Sequence, residues 1–157
     1  MKHSTILALA QLDAQRKTKP RKRAPRPRPA PLPIDDISLP AGPRIVVPFP
    51  PVACNPNRRD HWGKIRAAKA YRRECWALAL AAGIKLPRTG NLIFRLDFFP
   101  PDLARRDDDN AIASFKAGRD GIAEALKIDD SRFRTLPVWH SEPRACVVVT
   151  ILKGEGA

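Results

Sequence analysis

In the segment RRDDDNAIASFKAGRDGIAEALKIDD, Arg105 to Asp130, seven carboxylates fall within 26 residues of a chain whose formal charge is +13. Two like charges held 4 Å apart repel by about 4 kcal/mol at a surface-like dielectric, so a bound cation is the first candidate to offset them. Clustered aspartates suit Mg²⁺, with Mn²⁺ as a substitute, because these ions take oxygen ligands and keep waters for substrate phosphate oxygens. The chemistry would then be phosphodiester hydrolysis. In an extended segment Asp107 and Asp109 face one way and Asp108 the other. Asp129 and Asp130 follow the next helix and are expected to return beside that pair. Lys116, four residues before Asp120, shares a helical stripe with Asp109 and Asp120 and could neutralise charge in the transition state. The bland alternative is an Asp-rich helix cap that binds nothing. An EF-hand fails, since Ile112 and Gly118 stand where the loop needs Gly and Glu. No H-E-x-x-H and no Gly-rich phosphate loop occurs.

These residues need elements to position them. Arg44 to Phe49 is enriched in β-branched residues and stopped by Pro50 and Pro51, which predicts a first strand. His61 to Ala82 is expected to be a helix, stopped by Gly83. Its apolar stripe would be Trp62, Ile65, Trp76 and Leu80, interrupted by Lys69, Arg72 and Arg73. Asn91 to Pro100 alternates Leu92, Phe94, Leu96 and Phe98 against Ile93, Arg95, Asp97 and Phe99, a half-buried strand. A second helix is predicted from about Asn110 to Lys127, with Ile112, Phe115, Ile122 and Leu126 inward and Asn110 or Asp109 at its N-cap. Phe133 to Trp139 and Ala145 to Leu152 complete the order β-α-β-α-β-β. The expected class is α+β, one small domain with a mixed sheet and two main helices.

Residues 1–43 carry nine Lys/Arg against three acids and are rich in proline, so they read as a disordered basic arm before a domain at 44–152 and a short tail at 153–157. Basic charge along the whole chain points to a polyanion, nucleic acid first. Three cysteines without C-x-x-C spacing suggest reduced thiols, hence a cytoplasmic setting. No run reaches the roughly 18 apolar residues of a membrane span, and the apolar run near the N-terminus is shorter than a signal-peptide core.

The series Asp107-x-Asp109-Asn110, Lys116-x-x-x-Asp120 and Asp129-Asp130 resembles the RusA-like family of Holliday junction resolvases, over roughly Arg44 to Leu152. That resemblance implies a homodimeric, Mg²⁺-dependent endonuclease acting on branched DNA such as four-way junctions. It implies Asp107, Asp109 and Asp130 as catalytic, metal-associated acids and Lys116 as the essential lysine. Asp108 stands where the family usually has an apolar residue. About one helical turn is added between Asn110 and Lys116, and the arm has no counterpart in short family members. The segment NPNRRDHWGKIRAAKAYRRE is similar to the family's DNA-contacting region, making Arg58, Arg59, His61, Lys69 and Arg72 candidates for phosphate contacts. Trp76, Phe98 and Trp139 are candidates for a dimer surface. The competing readings are a DNA-binding protein that cuts nothing and a nuclease for flaps or forks.

Overall fold

The computed structural model describes residues 27–154; residues 1–26 of the basic arm and 155–157 of the tail lie outside the described residues. Six elements follow one another as β1 (Arg44–Pro48), α1 (His61–Ala81), β2 (Leu92–Phe99), α2 (Asp108–Ala125), β3 (Phe133–Trp139) and β4 (Cys146–Lys153). Short 3-10 turns at Val52–Cys54 and Asp130–Arg132 lie between them. The fold is α+β, with the element order expected from the sequence.

The four strands form one mixed sheet in the order β1-β4-β2-β3. β4 pairs antiparallel with both β1 and β2, whereas β2 and β3 are parallel, with Leu92 opposite Phe133 and Phe98 opposite Trp139. A parallel neighbour requires a crossover, and α2 supplies it. Pro48 and Pro137 lie in the two outer strands, where a missing ladder donor is tolerated.

The core forms between one sheet face and the two helices. Leu92, Phe94, Leu96 and Phe98 of β2 and Val147, Val149 and Ile151 of β4 are buried there, as the alternation in β2 predicts. Trp139 stacks on Phe98 at 4.5 Å and Phe133 on Phe94 at 4.3 Å. Phe98 is fully buried and so does not serve as the dimer contact suggested above, whereas Trp139 packs on the core but stays partly exposed on the outer strand β3. Two glycines bring the helices close. A Cβ at Gly121 would lie 2.3 Å from the Arg72 carbonyl oxygen, and one at Gly118 would lie 2.8 Å from the Tyr71 ring.

The inward face of α1 differs from expectation. Tyr71, Cys75 and Ala79 are buried, with Ala67, Ala68 and Leu78 packed beside them. Trp62, Ile65, Trp76 and Leu80 are exposed instead. The cations in that stripe mark the solvent side, and small residues on the other side admit α2. The Tyr71 hydroxyl donates to the Pro48 carbonyl at 2.7 Å, so the buried ring keeps its polar end satisfied.

The arm also ends earlier than expected. Arg28 pairs with Glu74 of α1 at 2.5 Å, and residues 32–43 then follow the sheet's second face, where Ile34, Ile37 and Leu39 pack on Phe99, Cys146 and Val148. Leu32 donates its N–H to Arg144 O at 2.8 Å, and Arg144 donates to Pro33 O and to the Asp36 carboxylate. Three apolar side chains among the prolines give this stretch something to bury, which a free arm lacks.

Candidate active site

The second helix starts two residues before the earliest N-terminus predicted. Asp107 is its N-cap, in an extended conformation, and its Oδ1 accepts the N–H groups of Asp109 at 3.0 Å and Asn110 at 3.4 Å. Oδ2 accepts from the Asn110 side-chain amide at 3.0 Å. Asp107, Asp108 and Asp109 therefore form a cap and first turn, and the strand-like alternation expected of them does not apply. Helix starts favour acids here because first-turn N–H groups are unpaired and the helix dipole is positive. Asp108 and Asp109 are exposed, and neither carboxylate has a hydrogen-bond or ion-pair partner among the described residues.

Lys116 lies two turns along the same face as Asp109, about 10 Å away at 1.5 Å per residue. Its ammonium points along the helix to Asp120, with Nζ 2.9 Å from Oδ2, and Arg119 holds the other oxygen of that carboxylate at 3.2 Å. The lysine side chain is two-thirds exposed, at 67%.

Asp129 and Asp130 do not return beside Asp107 and Asp109. Because β2 and β3 are parallel, α2 runs from the end of β2 back to the beginning of β3. Its 18 residues span about 27 Å. Arg132, in the turn that Asp130 opens, donates to the carbonyls of Pro87 and Gly90, which precede β2. The Asp129–Asp130 segment is thus at one end of the sheet and the Asp107–Asp109 segment at the other. The expected convergence within one chain is corrected by this topology. The side chain of Asp130 lies outside the described residues. Asp129 caps the turn, accepting from the Ser131 hydroxyl at 2.6 Å and the Ser131 N–H at 2.9 Å. Those two bonds hold its carboxyl below the usual carboxylate range, the hydroxyl contributing most.

Among the described residues no three His, Cys, Asp or Glu side chains gather where they could hold one metal ion. Asp109 is free to coordinate, and Asp107 keeps lone pairs beyond those its cap uses. Two carboxylates with water suffice for Mg²⁺, which usually takes one or two. All three implied acids of a single chain cannot surround one ion.

Next to this acidic turn is a cleft of about 710 Å³. Arg28, Arg58, Lys64 and Arg106 line it together with Phe49 and Val52. Arg106 stands over the Phe49 ring at 5.7 Å and pairs with Asp102 at 2.8 Å. The N–H of Ala104, and then Arg106, keep the Asp102 carboxyl below its ordinary range. Asn57 donates from its side chain to Asn110 at 3.3 Å, linking the loop before α1 to the first turn of α2.

Of the residues expected to touch phosphates, only Arg58 lines this cleft. Arg59 is exposed in the same loop, and His61 opens α1 edge-on to Trp62, 5.5 Å between ring centres. Lys69 and Arg72 line a separate groove, and Arg72 is tied to Glu124 at 2.7 Å. Arg28, Lys64 and Arg106 were not singled out from the sequence. Prolines flank Arg28 and an aspartate follows Arg106, whereas Lys64, between Gly63 and Ile65, offered no local signal beyond its charge.

Sequence reasoning also missed a buried polar cluster on the second sheet face. Asp97 is fully buried, accepts from Arg95 at 2.9 Å, and lies 2.8 Å from the His140 Nε2. Its alternation with Leu96 and Phe98 suggested a solvent face, but Ile34, Ile37 and Leu39 and the ring of His140, stacked on Phe99 at 4.1 Å, close that face over.

No helix among the described residues is long and apolar enough to cross a membrane. No family model matches the sequence. A protein of Xylella fastidiosa (strain Temecula1), described only as an uncharacterized protein, is 39% identical over 113 residues, covering 68% of this chain and 74% of its own length.

Proposed function

The chain belongs to one family with that Xylella fastidiosa protein, and from the site described above we propose that it is a Mg²⁺-dependent endonuclease that nicks branched DNA as a homodimer. The observation that carries this reading is the unpartnered carboxylate of Asp109, three residues after Arg106, which lines a cleft together with Arg28, Arg58 and Lys64. Those cations would hold the phosphates flanking the scissile bond, and Asp109 with Asp107 would hold the ion. When bound, the ion supplies Lewis acidity and lowers the pKa of its water. Lys116, released from Asp120, would offset charge near the phosphate.

Asp130 enters only through a second copy. A two-fold axis that sets the first turn of α2 in one protomer against the start of β3 in the other makes two equal sites, each built from both chains. A four-way junction offers two equivalent strands to such a pair, and paired nicks resolve it. Flaps and forks present similar phosphates, so a substrate panel ranks these structures.

The direct test uses Asp109→Asn with a labelled junction. Nicking in Mg²⁺ or Mn²⁺ is expected to fall by at least about a hundredfold, while junction binding holds or tightens as a negative charge is removed. Joint loss of binding and of the thermal transition would make Asp109 a structural residue and end the proposal.

A second reading is a DNA-binding protein without hydrolytic activity. It is favoured by the engagement of Asp107 as a helix cap, which explains that acid without any metal. Wild-type protein that binds junctions but leaves them intact in both metals would select it.

A further inference from the structure

The outward face of α1 is unusual for a helix packed on a sheet. At 100° per residue, Trp62, Ile65, Lys69, Arg73, Trp76 and Leu80 fall within a sector of about 80°. Opposite that sector lie Tyr71 and Cys75, both fully buried. Trp62 is 69% exposed, and Ile65, Trp76 and Leu80 are each at least 40% exposed. Nothing among the described residues covers them. Lys69 and Arg73 stand between the two tryptophans, and neither has an ion-pair partner among the described residues. Beside them, a groove of about 440 Å³ runs from Trp76 to Glu124 of α2.

We infer that this stripe is a stacking platform for an unpaired DNA strand; the inference rests on the reading of the protein as acting on branched DNA. Flat exposed indoles alternating with cations match a strand whose bases are unstacked from a partner and whose phosphates follow alongside. Trp62 and Trp76 are about 21 Å apart along the axis, the length of roughly six stacked nucleotides at 3.4 Å each. The order of residues selects this occupant. A membrane-surface helix keeps its centre apolar and its cations at the flanks, whereas here the cations occupy the centre. A second copy meeting this face with its own would bring Lys69 and Arg73 against their equivalents, in a chain already at +13. Flaps and forks carry such a strand outright, and a four-way junction supplies one where base pairs at its centre open.

The probe is a short fluorescent oligothymidylate, compared with a duplex of equal length, bound to the full chain without metal. Trp62→Leu and Trp76→Leu are each expected to weaken the single strand roughly tenfold and to change duplex affinity less than twofold. Trp62→Phe is expected to recover most of the loss, since a phenyl ring stacks and a leucine does not. Trp139 serves as the internal control, because it is stacked on Phe98 and its emission should not be quenched by the oligonucleotide. Melting of each variant confirms that the fold is intact.

Unchanged oligothymidylate affinity in both leucine variants overturns the platform. So does a dimer that dissociates when Trp76 becomes leucine, which would assign the face to a second copy. Junction nicking by wild-type protein, measured alongside, keeps the two ideas separate. Normal nicking with unaffected oligothymidylate binding sinks the platform alone. Stacking without nicking leaves the platform standing and sinks the endonuclease.

Discussion

The two ends of α2 both carry acids, yet they are built differently. At its start, Asp107 turns inward to cap the helix and leaves Asp109 outward beside a cationic cleft. Beyond its end, the helix closes with Lys127 in the left-handed region at φ 54°, Ile128 donates to Ala123, and Asp129 caps the turn that follows. The first end combines open carboxylates with the cations of the adjoining cleft. The second holds Asp129 in local bonds and has Arg132 tied to the backbone before β2. An acid-rich sequence therefore divides into an end that leaves Asp109 open beside cations and an end that ties Asp129 into local bonds.

That contrast can be broken most sharply at Asp107. Asn is as good an N-cap as Asp, whereas Ala is not. Asp107→Asn is expected to lose nicking by at least about a hundredfold with an unchanged melting temperature. Asp107→Ala is expected to lose the same activity and also about 1 kcal/mol of stability. Equal activity in the Asn variant and the wild type would reduce Asp107 to a cap, and the first end would then have only one acid for chemistry.

A smaller effect is expected at the other end. The carbonyls of Ala123 and Glu124 accept from Ile128 and Lys127, the paired bonds of a glycine-type helix stop, although the residue with positive φ is lysine. Lys127→Gly is expected to stabilise the chain by about 1 kcal/mol, read as a higher urea midpoint, and to leave nicking unaltered. Altered nicking would mean that this end has a closer part in the reaction than its bonds indicate.

The elements were largely legible in the sequence. β2 places Leu92, Phe94, Leu96 and Phe98 on one face, Gly83 and the proline pair mark stops, and Phe115 and Ile122 point where α2 must pack. The orientation of α1 was not legible from hydrophobicity, because its buried side is Ala, Cys and Tyr while its exposed side carries two tryptophans. Helix contact through Gly118 and Gly121 rewards small residues, and hydrophobic patterning undervalues them. Lys69 and Arg73 were the contrary signal within the stripe. The acidic residues were visible in the sequence, but their convergence was misplaced as geometry. A strand, an 18-residue helix and a parallel strand put the helix ends at opposite edges of the sheet, so Asp130 could not have returned to Asp107. The order β-α-β already contained that constraint, provided the two strands were taken as parallel. The packed stretch 32–43 was hidden by its prolines and betrayed by Ile34, Ile37 and Leu39.

The most direct test of a site shared between chains mixes two dead proteins. Asp109→Asn and Asp130→Asn are each expected to be inactive alone; combined, refolded together and supplied with Mg²⁺ and a junction, they are expected to form mixed dimers. If one protomer lends Asp107 and Asp109 and the other lends Asp130, each mixed dimer keeps one complete site, and nicking returns to about a quarter of the wild-type rate. If mixed dimers form by native mass spectrometry and nicking stays at the level of either variant alone, the acids do not act across the two chains.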